Sequence, residues 1–77
     1  MTRYEEMVKS GELPPMNGLE WLLLGFNCDC LLDGKFNDQP EEKEFAKETI
    51  KLMWIEVDHL YRDEPEMLEK LKEVVNK

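Results

Sequence analysis

Several residue types that carry chemistry are almost missing from these 77 residues. There are two cysteines, Cys28 and Cys30, one residue apart, so no disulfide framework joins distant parts of the chain. The opening Met1-Thr2-Arg3-Tyr4-Glu5-Glu6 has no apolar stretch behind its one basic residue. It does not read as an export signal, and reduced thiols in a cytoplasmic protein are expected. The longest apolar run, around Trp21 to Phe26, is far short of the roughly 18–20 residues that a membrane span needs. Ser10 is the only serine and has no base placed to activate it, which removes a serine nucleophile. The four glycines are scattered, so no loop cradles phosphate. Positive charge is also scarce, 10 Lys and Arg against 18 Asp and Glu, for a formal net charge of −8. Nucleic-acid affinity comes mainly from cations on phosphates, so direct binding to DNA or RNA is not expected.

What is present is helix chemistry. Thr2 with Glu5 forms a capping box, and the short helix it starts ends at Gly11 and the pair Pro14-Pro15. Asn17 with Glu20 starts a second helix running to about Leu32, where Asp33-Gly34 stops it, with Met16 and Trp21 at staple positions. Asp-x-Pro-Glu occurs twice, at Asp38-Gln39-Pro40-Glu41 and Asp63-Glu64-Pro65-Glu66. Each reads as an Asp cap, a Pro in the first turn and a Glu near the positive end of the helix dipole. These starts predict a third helix over about 40–62 and a fourth over about 64–76. No stretch alternates with a strand period, so the fold class is all-α. The expectation is one helical domain over residues 1–77, a small bundle of three to four helices.

The helix faces differ. In the fourth, Met67, Leu68, Leu71, Val74 and Val75 form one buried stripe. In the third, Ala46, Ile50, Met53, Val57 and Leu60 form a stripe, widened by Trp54 and Tyr61 on one side and Phe45 and Leu52 on the other. An apolar arc of roughly 200° has to meet more than one neighbour. The second helix has only Glu20, Asn27 and Asp29 as polar positions and reads as the central element. A chain this short buries only about 60% of its unfolded surface, so a homodimer is expected to cover what remains.

Three constellations invite functional readings. Cys28 and Cys30 point about 200° apart on a helix and do not share an ion easily, so both read as small core hydrophobes. Glu56 and His59 have the i, i+3 spacing of carboxylate-bridged dimetal bundles, and a two-fold dimer would double them together with Glu20. Against that metal reading, Glu56 is explained as a half-buried carboxylate beside Thr49, Phe45 and Leu52, with His59 toward the polar arc. No cofactor is therefore expected; a dimer holding a dinuclear metal through Glu20, Glu56 and His59 stands as an alternative, as does a self-associating structural protein with no other target. The third constellation is acidic: Asp58, Asp63, Glu64 and Glu66, relieved by Arg62, and Asp29, Asp33, Asp38, Glu41 and Glu42 around the preceding turn. Ile55 projects among polar neighbours as an interface anchor. In size and charge the chain resembles the accessory inhibitors of phages and other mobile elements. The expected function is non-catalytic, namely binding a basic nucleic-acid-handling protein partner through Asp58, Asp63, Glu64, Glu66, Asp33, Asp38 and Ile55.

Overall fold

The computed structural model describes Met1–Lys77 and contains five α-helices and no strand. They are α1 (Arg3–Ser10), α2 (Gly18–Leu32), α3 (Pro40–Leu52), α4 (Trp54–Leu60) and α5 (Pro65–Val75). The two capping boxes form as their sequences require. Thr2 Oγ1 accepts from the Glu5 N–H at 3.3 Å, and Glu5 accepts from the Thr2 N–H at 3.1 Å. Asn17 Oδ1 accepts from the Glu20 N–H at 2.8 Å, and Glu20 accepts from the Asn17 N–H at 3.1 Å. Gly11 closes α1 with φ 85°, a left-handed residue whose N–H reaches back to the Met7 and Val8 carbonyls.

Two expectations are corrected. Asp38 and Asp63 are not caps: the cap positions belong to Gln39 and Glu64, and neither makes a side-chain cap bond. The following proline is the cause. It pushes the residue before it out of the helical region, to φ −130°, ψ 75° at Gln39 and φ −134°, ψ 67° at Glu64. That displaces each Asp one position too far from the first turn. The second correction is the count of helices, because the segment predicted over 40–62 breaks at Met53 (φ −104°, ψ 29°). No Pro or Gly marks the break. The bend lets α3 lie against α2 and α5 while α4 lies against α1, so the wide apolar arc is divided between neighbours that one straight helix would not reach.

The core is shared by α2 to α5: Leu24, Cys28, Leu31, Ala46, Ile50, Val57, Tyr61, Leu71 and Val75. Ile50, Val57 and Leu71 are fully enclosed, each worth about 1.5–3 kcal/mol of burial. From α1 only Tyr4 is buried. The radius of gyration, 12.7 Å, exceeds the roughly 11.5 Å expected at this length, and the extents are 40 × 23 × 19 Å. Only 13 of 77 residues are buried. An elongated body with so thin a core leaves α2 uncovered on one side: Leu24, Cys28, Cys30 and Leu31 are buried, and Leu19, Leu22, Leu23 and Phe26 are not.

Candidate functional site

The carboxylates singled out by charge divide by place. Asp63, Glu64 and Glu66 are exposed at the α4–α5 turn, where with Pro65 and Met67 they line a 360 Å³ hollow. Asp58 is only partly exposed. Arg62 makes no ion pair with them, and its Nη1 donates to the His59 carbonyl at 2.7 Å. The chain's three Lys–Glu ion pairs lie elsewhere, at Lys47–Glu44, Lys51–Glu48 and Lys72–Glu69, and His59 faces Glu5. Asp33 and Asp38 are exposed in the α2–α3 connection, also without an ion pair. Asp29, grouped with them by sequence, is engaged: it accepts from the Tyr61 hydroxyl at 3.2 Å. Ile55 is partly buried on α4, so the exposed anchor expected there is absent. α1 packs on α4 and takes up part of what a straight helix would leave to solvent.

The residues of the metal alternative do not come together within one chain. Glu20 is committed to the cap of α2. Glu56 is buried and not half-buried, while Phe45 and Leu52 are exposed and the Thr49 hydroxyl donates to the Phe45 carbonyl. The break at Met53 places Glu56 on α4, out of the straight-helix register with α3 that the sequence predicts. His59 is mostly enclosed instead of lying toward the polar side. Its ring is 4.7 Å from the Tyr4 ring and 5.4 Å from the Trp21 ring. Its Nδ1 lies 2.8 Å from Thr2 Oγ1 and 3.7 Å from Glu5 Oε1. The hydrogen bond from the Thr2 N–H holds the Glu5 carboxyl below its usual value, with the Thr2 hydroxyl and His59 acting in the same sense. No three His, Cys, Asp or Glu side chains gather into a group able to hold a metal ion.

The cysteines are free thiols, both buried. Desolvation, with Asp29 beside it, pushes the Cys28 thiol up to about 12, which leaves it protonated and unreactive near neutral pH. Burial likewise raises the Tyr61 phenol, with Cys28 and Asp29 acting in the same sense. These groups are core, not chemistry.

Sequence reasoning expected part of the second helix to stay uncovered but did not say which part. Leu19, Leu22, Leu23 and Phe26 on α2, with Phe45 and Leu52 on α3, remain between 54% and 86% exposed. Their signal was available in the i, i+3, i+4, i+7 spacing on α2 and the i, i+7 pair on α3. It was hidden because α2 is apolar nearly all round, and spacing alone does not say which arc is covered. No protein-family model matches the chain, and neither a curated protein nor a solved structure matches it.

Proposed function

We propose that this chain is a non-catalytic binding protein that engages a basic, nucleic-acid-handling protein and modulates or inhibits it. The observation that supports this is the set of carboxylates at the α4–α5 turn, with Asp58 on α4 just before it. Asp58, Asp63, Glu64 and Glu66 have no cationic partner, and the one nearby guanidinium is turned to a backbone carbonyl. Unpaired charge of one sign steers encounter with a surface of the opposite sign. Such a surface on a nucleic-acid-handling protein is already built to receive phosphates. Asp33 and Asp38 extend the negative field along the α2–α3 connection. In size and acidity this is the kind of accessory protein that phages and mobile elements carry, an analogy of composition.

A partner captured from the native host and then purified tests this reading. Its association should slow steeply as salt rises, because exposed charges are screened beyond about 10 Å at 0.1 M. Asp58→Lys, Asp63→Lys and Glu66→Lys together should slow association with the helices intact by circular dichroism. Nucleic acid added in trans should release the partner. Binding that persists in high salt and tolerates the three reversals would refute the proposal, leaving the carboxylates a solubilising role.

A further inference from the structure

The open side of α2 and α3 has the shape of knobs beside a hole. Leu19, Leu22, Leu23 and Phe26 form one exposed row, and Phe45 and Leu52 form the other. Between α2 and α3 runs a groove in two joined parts. One part, 210 Å³, has Glu20, Leu23, Thr49 and Met53 in its walls. The other, 310 Å³, has Phe36, Glu41, Glu42 and Phe45, and Asn27 belongs to both. No Lys or Arg lines either part.

We propose that this face is covered by a second copy of the chain, in a two-fold dimer that sets the apolar rows of each copy into the groove of the other. The first argument is area. The six exposed side chains alone present roughly 700 Å², close to the about 800 Å² that each partner gives to a stable interface. That is above the about 300–600 Å² of the largest patch on a typical monomer. The second argument is self-complementarity. A two-fold contact brings one patch against itself, which suits a surface whose centre is uncharged, with Asn27 and Thr49 between apolar rows, and which carries both the knobs and the hollow that takes them. The third is the thin core, 13 buried residues of 77, which a second copy would thicken.

Charge sets the signature of this dimer. Glu20, Glu41 and Glu42 sit at the ends of the groove, so pairing brings carboxylates toward carboxylates at the rim while apolar groups meet in the middle. Salt therefore tightens the dimer, opposite in sign to its effect on the basic partner proposed above.

Sedimentation equilibrium of the full chain from about 1 µM to about 300 µM, in low and high salt, tests this. The expected result is a dimer that dissociates on dilution at roughly micromolar concentration and binds several-fold tighter in the higher salt. Leu22→Glu and Phe45→Glu, both at exposed positions, should each weaken it at least about tenfold, while the circular dichroism spectrum of the dilute protein stays unchanged. In a mixed-labelled sample, Phe26 and Phe45 ring protons should show contacts to leucine methyls of the other copy. A monomer at the top concentration in both salts overturns the proposal, as does a dimer that survives both substitutions or loosens with salt. A monomer that instead binds a synthetic amphipathic helix with lysines at both ends also overturns it, because that helix is then the occupant. None of these failures touches the α4–α5 reading, whose variants lie outside this face.

Discussion

Ile50 and Phe45 are five residues apart on α3, and truncating each to alanine separates the two sides of that helix. Ile50 is 0% exposed at the centre of the core, and Phe45 is 74% exposed. Ile50→Ala removes buried carbons and leaves a cavity that its neighbours in α2, α4 and α5 fill only partly. The cost is about 3–4 kcal/mol. For a chain of this length, whose total stability is of the order of 4–12 kcal/mol, that is a large share. The melting temperature should fall by roughly 15–25 °C. Phe45→Ala removes a larger side chain, yet three quarters of it is already in water, so the loss should stay under about 1 kcal/mol. Both are read by fluorescence-detected thermal and urea unfolding at about 0.02 µM, well below the roughly micromolar dissociation proposed for the dimer, where mass action keeps a second copy from adding apparent stability. Comparable large losses would place Phe45 inside the monomer's core and remove the exposed face. A mild Ile50→Ala would mean that the core is assigned to the wrong side of α3.

Two further outcomes follow from the caps and the buried thiol. Thr2→Ala should cost about 1 kcal/mol by urea unfolding, because the hydroxyl caps α1, whereas Asp63→Asn should stay within about 0.5 kcal/mol because Asp63 makes no cap bond; equal losses would restore Asp63 as a cap. At alkaline pH, the Cys28 thiol is raised from an ordinary 9.0 to about 12 in the folded chain, so the unfolded chain loses this proton first. Its contribution is fully present below pH 9 and declines as pH rises from about 9 toward 12. Stability of the native chain should therefore fall more steeply over that window than that of Cys28→Ala, and parallel profiles would refute the burial of the thiol.

Polar residues next to the backbone announced the fold well. Thr2 with Glu5, Asn17 with Glu20, Gly11 and Gly34 act over a few bonds, so they mark helix ends whatever the rest of the chain does. The same local logic failed at Asp38 and Asp63, where the constraint proline places on its predecessor moved the cap by one residue. The break at Met53 has no local cause and was invisible, since it follows from which neighbours α3 and α4 meet. That single bend also displaced the site reasoning. It put Glu56 on a different helix from Phe45 and Leu52, and it accompanies the enclosure of His59 and the partial burial of Ile55. The exposure of Asp63, Glu64 and Glu66 was readable from charge alone. The freedom of these carboxylates was not, because it depends on where Arg62 turns.

The attachment of α1 has a consequence for how the molecule opens. This helix is joined to the rest by Tyr4 against Trp21 and His59, by the Tyr4 hydroxyl accepting from the Met16 N–H at 2.9 Å, and by Thr2 beside His59. One buried side chain and a few polar contacts hold far less free energy than the nine-residue core shared by the other helices. Residues 1–16 should therefore open as a unit at lower cost than the whole chain, with α2 to α5 keeping their packing. Amide protons of α1 exchange through that opening faster than those of α2 and α3, and the segment from Gly11 to Pro15 is where a protease first finds extended chain. The same event uncovers Trp21, so its fluorescence responds to mild denaturant before the circular dichroism does.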